Sequence, residues 1–171
     1  MELRNREMFT ISALELAPML VGKLLCRRLD SGEVLRLRIT ETECYMSEED
    51  KACHAHKGRT KRTEILYDKG GVAYVYLIYG MHWLMNVVAG EENFPQAVLI
   101  RCCEGKNGPG KLTKAMQIDG SFNKEDLTTS QRIWLEDDGY SANLKTAPRV
   151  GIDYAGEYWR AIEWRFIDND K

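Results

Sequence analysis

The chain has 171 residues, 44% of them apolar and 29% charged, with a formal net charge of −2 and five cysteines. That length supports one substantial core and is short for two, and the composition excludes disordered and fibrous chains. An odd number of cysteines without a CxxC pair argues against a disulfide framework and for a reducing compartment, and no signal-like or membrane-spanning run appears.

Taken in chain order, a short helix is expected from Ser12 to about Leu20: Ser12 can cap it, Leu14, Leu16 and Leu20 are apolar, and Pro18 and Gly22 limit its extension. The runs KLLCRRL and EVLRLRITETECY flank Asp30-Ser31-Gly32, which marks a hairpin. Counting back by twos from Tyr45 gives Glu43, Glu41, Ile39, Leu37 and Leu35. Read as one continuous strand, this run therefore carries two carboxylates along the row begun by three apolar residues. The stretch SEEDKACHAHKGRTKRTE lacks either period and reads as a long ordered loop. Residues 70–90 hold two apolar runs around Tyr79-Gly80-Met81, a second hairpin, and QAVLIRCC is a further strand. After Pro109, GKLTKAMQIDG has helical spacing, while RIWLEDDG and EYWRAIEWRFI read as two more strands. Strands outnumber helices without βαβ alternation. The expected fold is α+β: a single domain over residues 1–171, with a curved, largely antiparallel β-sheet, short flanking helices and a protruding β-hairpin.

Three constellations bear on chemistry. A poorly solvated carboxylate beside apolar neighbours is a common way to prepare a general base for water, a role open to either Glu41 or Glu43. The same glutamates also fit a solvent-exposed pairing with Arg36 or Arg38. Tyr74 and Tyr76 share a strand face, and Tyr79 falls at a hairpin tip, where an aromatic side chain has nothing of its own protein to pack on and can enter a base stack. These tyrosines fit an ordinary strand core as well. Residues 51–63 carry five Lys or Arg and no acid, and residues 101–114 carry four basic residues against Glu104 alone, so a polyanion could be held locally despite the near-neutral total. The spacing of Cys53, His54, His56 and Cys102 matches no zinc pattern, and no nucleotide-binding or hydrolase motif occurs.

In this order, ETECYMSEEDKACHAHKGRTKR, YVYLIYGMHWLMNVV, QAVLIRCCE, NGPGKLTKAM and PRVGIDYAGE cover most of the chain, and together they resemble the alkyladenine (3-methyladenine) DNA glycosylase family. The resemblance implies excision of alkylated or deaminated purines by base flipping, with no metal and no cofactor. It assigns Glu43 to activation of the attacking water and Arg101 to the basic position near the flipped nucleotide. Tyr45, His54 and Tyr76 become walls of the base pocket, Asn86 the side chain that crowds the purine 2-amino position, and Tyr79 the residue inserted into the duplex. Arg59, Thr60, Met81 and Lys111 fall where DNA-backbone contacts are expected. The implied partner is double-stranded DNA containing damaged purines, bound by a monomer in the cytoplasm, in association with the nucleoid and not with a membrane. Departures are a short link of Gly105, Lys106 and Asn107 where the family carries a longer segment, and His82 where an aromatic residue is common. A non-catalytic module that binds damaged DNA, and a metal-dependent hydrolase built on Cys53, His54, His56 and Cys102, are the competing readings.

Overall fold

The computed structural model describes residues 1–171. Helix α1 (Ala13–Leu20) opens with a capping box in which the Ser12 hydroxyl accepts from the Glu15 N–H and the Glu15 carboxylate accepts from the Ser12 N–H. Eight strands follow: β1 (Leu24–Arg28), β2 (Val34–Met46), β3 (Ala73–Ile78), β4 (His82–Val88), β5 (Gln96–Cys103), β6 (Ile133–Glu136), β7 (Leu144–Ala147) and β8 (Arg165–Asp168). Between them lie α2 (Pro109–Ala115) and α3 (Glu157–Ala161). All strand pairings are antiparallel, in the order β3-β4-β5-β2-β1-β6, with β8 against β2 and β7 against β8. This is the expected curled α+β sheet with few short helices. No helix is long and apolar enough to cross a membrane.

The length of β2 creates the curl. Its first half, Val34–Arg38, pairs with β1; its second half, Ile39–Met46, pairs with β5 on one side and, over Glu41–Glu43, with β8. At the junction both β2 and β5 bulge. From Ile39 to Glu41 strand β2 advances two residues while β5 steps only from Cys103 to Cys102; from Glu41 to Thr42, β5 skips from Cys102 to Ile100. The extra residues are Thr40 and Arg101.

These paired bulges correct the expected continuous row. Before them Leu35, Leu37 and Ile39 pack on the main core; after them Cys44 and Met46 do, and the Thr42 hydroxyl donates to the Ala17 carbonyl of α1 at 2.8 Å. Alternation has slipped by one residue, which a bulge allows and a regular strand forbids. Glu41, Glu43 and Tyr45 thus leave the core face for the opposite one.

A second correction concerns EYWRAIEWRFI, which forms α3 followed by β8 instead of one strand. Gly156 at φ 88° precedes the helix, and Arg160 N–H closes its first turn on the Gly156 carbonyl at 3.0 Å. The local start signal of Gly156-Glu157 overrides the β preference of Tyr158 and Trp159. Strand β7 lacked a sequence signal because it is almost wholly exposed and owes its existence to pairing with β8.

Candidate functional site

A cleft of about 900 Å³ opens on the face to which the bulges turn Glu43. Cross-strand pairing sets its floor as one row, Glu43–Leu99–Asn86–Tyr74, running from β2 through β5 and β4 to β3. Of the expected site residues, Glu43, Tyr45, His54, Thr60, Tyr76, Tyr79, Asn86 and Arg101 all line this cleft.

Glu43 has no solvent-exposed side-chain surface. One carboxylate oxygen, Oε1, accepts from the Val150 N–H at 2.9 Å, the other, Oε2, accepts from the Tyr45 hydroxyl at 2.7 Å, and Arg101 Nε stands 3.5 Å from Oε1. A carboxylate has about four acceptor positions, so these fixed contacts leave some of them without a protein partner. Glu41 shares Arg101 at 3.7 Å and pairs with Arg165 at 3.2 Å, while Arg36 and Arg38 pair with Glu136 and Asp138 instead. Burial first, and the charge of Glu43 second, pushes the Tyr45 hydroxyl well above its ordinary pKa, so it remains a donor.

Behind Glu43 lies a feature the sequence did not reveal. Asp50 and Arg149, both with fully buried side chains, form a two-pronged ion pair at 2.6 and 3.0 Å. Arg149 also donates to the Cys44 carbonyl at 3.0 Å and lies between the rings of Tyr45 (4.8 Å) and Trp164 (5.1 Å). Asp50 accepts from the Ala52 N–H at 3.0 Å and the Met46 N–H at 3.3 Å. One ion pair therefore ties together the end of β2, the start of the 50–63 loop and the 148–150 segment whose N–H reaches Glu43. The only sequence signal was the quoted PRVGIDYAGE block, which gave Arg149 no partner.

The loop folds back so that His54 meets β3. His54 Nδ1 is 2.9 Å from the Tyr74 hydroxyl, and its ring packs edge-on against Tyr76 with centroids 4.6 Å apart. Tyr74 and Tyr76 lie 5.1 Å apart. Burial, then the charges of Arg62 and Lys57, lowers the His54 pKa from 6.5 to about 4, so the ring is neutral near pH 7. Between those two values the unfolded chain holds a proton that the folded chain refuses, so stability should decline as pH falls from about 6.5 toward 4. Urea midpoints at pH 7, 5.5 and 4.5 should show a shallower decline for His54→Gln than for the parent.

Asn86 is 4% exposed, and its amide donates to the Tyr74 carbonyl at 3.1 Å, which fixes its orientation. Tyr79 stands at the tip of the β3–β4 hairpin, 88% exposed, with φ at 51°; Gly80 follows at φ 66°, and the Met81 N–H donates to the Ile78 carbonyl at 3.1 Å. A tyrosine held in the left-handed region costs on the order of 1–3 kcal/mol, and here no packing accounts for it. Met81, 68% exposed, extends the same tip, and Lys111 is exposed in the first turn of α2. Arg59 is drawn aside, over the Tyr67 ring at 4.3 Å and onto Asn93 at 2.7 Å. Thr60 exchanges turn hydrogen bonds with Thr63. His82 packs against Gly110, where an added Cβ would lie 3.2 Å from the His82 side chain.

The short link is a closed turn: Cys103 and Lys106 exchange backbone hydrogen bonds at 3.2 and 2.8 Å, and Glu104 N–H donates to the Arg38 carbonyl at 2.8 Å. Cys102 Sγ accepts from the Gly108 N–H at 3.2 Å. No three His, Cys, Asp or Glu side chains are grouped to hold a metal ion, and His56 turns to the Glu48 carbonyl.

The profile of one family, methylpurine-DNA glycosylase, matches residues 7–106 and 104–171. The two matches meet at the turn just described. A protein of Psychrobacter cryohalolentis is 44% identical over 182 residues, covering 88% of this chain and 84% of its own. One of Natranaerobius thermophilus is 44% identical over 188 residues, covering 96% and 94%, and one of Borrelia garinii subsp. bavariensis is 44% identical over 179 residues, covering 97% and 96%. All three bear the description "Putative 3-methyladenine DNA glycosylase". The alignments are longer than the chain's 171 residues, so these relatives carry segments it lacks. On the profile match along nearly the whole chain and this level of identity, the chain belongs to the methylpurine-DNA glycosylase family.

Proposed function

We propose that the chain is a monofunctional DNA glycosylase that flips alkylated or deaminated purines out of duplex DNA and hydrolyses the N-glycosidic bond. The observation that carries this reading is a fully buried carboxylate, Glu43, anchored at the base of an aromatic cleft whose rim bears an exposed tyrosine. The target bond is out of reach inside a stacked duplex, so the nucleotide must leave the stack at a cost of a few kcal/mol, least for a damaged base. Tyr79 fills the vacancy. Tyr45, His54 and Tyr76 wall the base, and Asn86 stands where a purine 2-amino group would press on it. Glu43 takes the proton of a water attacking C1′ from the face opposite the departing base, and its charge stabilises the oxocarbenium-like transition state. Arg101, within reach of Glu43, supports the same centre. Water is the nucleophile, so the reaction needs neither a lysine Schiff base nor a cofactor.

Charge supports DNA as the partner. None of the five basic residues in 51–63 takes part in any of the chain's ion pairs, and nor do Lys106, Lys111 and Lys114. Lys51, Lys57 and Arg62 line the cleft, and cations without a carboxylate partner are available to phosphates. One chain suffices for one flipped nucleotide, so a monomer is proposed, acting on nucleoid DNA in the cytoplasm.

The wedge has a test with two opposed signs. Asparagine tolerates the left-handed backbone that Tyr79 adopts, and Asn-Gly suits the turn. Tyr79→Asn should therefore melt no lower than the parent and gain up to about 1 kcal/mol. It should also excise damaged purines about 10- to 100-fold more slowly, because unstacking is no longer compensated. Thermal unfolding and single-turnover excision on the same preparation check both. A variant with parental rate would remove Tyr79 from the mechanism.

A further inference from the structure

The charge inside the cleft does not match a site built for cations. Glu43 is the only acid among the residues that line it, and Arg101 lies 3.5 Å from that carboxylate. Three more cations line the cleft without a carboxylate partner: Lys51, Lys57 and Arg62. Arg62, a solvent-exposed residue, is the one that meets an aromatic wall, with its guanidinium 5.4 Å from the centre of the Tyr76 ring. That ring is one of the proposed walls for the flipped base, and its π density already serves a cation.

We infer that Arg62 sets the choice of base at this site, favouring damaged purines that stay neutral, the deaminated and etheno classes, over purines made cationic by alkylation. The inference rests on the glycosylase reading. Aromatic walls alone would attract a cationic base. A guanidinium on Tyr76 opposes that preference, because it occupies the ring's π density and repels a second cation at short range. The pocket reports its own preference through His54, an imidazole that burial and the charges of Arg62 and Lys57 keep unprotonated down to about pH 4.

The chemistry points the same way. When the N9–C1′ bond breaks, its electron pair goes to N9, C1′ is captured by the oxygen of water, and the water proton passes to Glu43. A cationic purine departs neutral and needs no help. A neutral purine departs with negative charge until solvent protonates it, and a nearby guanidinium lowers the energy of that charge in the transition state alone.

The test uses the full chain and two duplexes of one sequence, carrying either hypoxanthine or 7-methylguanine, under single-turnover conditions. Arg62→Gln keeps a planar polar head and removes the charge. It should raise the ratio of the 7-methylguanine rate to the hypoxanthine rate by about three- to tenfold. Arg62→Lys, which keeps the charge, should hold that ratio within about twofold of the parent, since cation–π attraction survives the exchange. An unchanged ratio in Arg62→Gln, with both rates falling together and the salt dependence of binding reduced by about one ion, would overturn the inference and make Arg62 a phosphate contact. Release of neither base by the parent would overturn the glycosylase reading itself, an outcome that the ratio measurement cannot be confused with.

Discussion

Glu43→Gln is expected to slow the release of free base by about 10²- to 10⁴-fold, the usual contribution of a positioned general base. Glutamine is nearly isosteric, so the variant should fold. Its side-chain oxygen can still accept from either the Val150 N–H or the Tyr45 hydroxyl. It cannot take a proton from water, and it brings no negative charge to a developing oxocarbenium ion. Binding to duplex DNA carrying an alkylated purine should stay within a few-fold of the parent, because Tyr79, the aromatic walls and the basic rim are untouched. A loss confined to the rate constant identifies an interaction made only in the transition state. Equal losses in rate and binding would instead mean that Glu43 shapes the pocket.

The second large effect concerns the buried pair behind the site. Asp50→Asn should destabilise the fold by about 3–5 kcal/mol, because it leaves Arg149 charged, buried and without its counter-ion. The double variant Asp50→Leu/Arg149→Met should recover most of that loss, since two apolar side chains can replace a buried ion pair at little cost. It should not recover excision to the same degree. Tyr45 would lose the guanidinium on its ring, and the segment carrying the Val150 N–H would lose its tie to the end of β2. Urea unfolding and single-turnover excision on the three proteins separate the stabilising role of the pair from its effect on the site. A double variant both unstable and inactive would show that the contacts of Asp50 with the Met46 and Ala52 N–H groups, not its charge, hold the region.

What the sequence disclosed was what short-range chemistry determines. The Ser12 cap, the turn residues at 30–32, the Tyr79-Gly80 tip and Pro109 at the head of α2 act on their immediate neighbours, and each appears where expected. What it concealed depends on distant partners. The bulges at Thr40 and Arg101 exist because two strands slip past one another, and no pattern within either strand announces them. They decide whether Glu43 faces core or cleft, so the expected row, which held Glu41 and Glu43 alike, rested on a strand alternation that does not hold; the family resemblance alone singled out Glu43. Asp50 and Arg149 lie 99 positions apart and lack any local feature that would join them. Arg62 stood in the sequence as one member of a basic run; only the fold of the loop brings it over Tyr76.

Release of free purine from a duplex treated with a methylating agent, measured for the parent chain in the presence of a chelator, tests the glycosylase activity most directly. Free 3-methyladenine or 7-methylguanine appearing in solution, with the DNA strand left intact until heated in alkali, is the predicted result. Tight binding of the same DNA with no base released would contradict it and leave a module that recognises damage without cutting a bond.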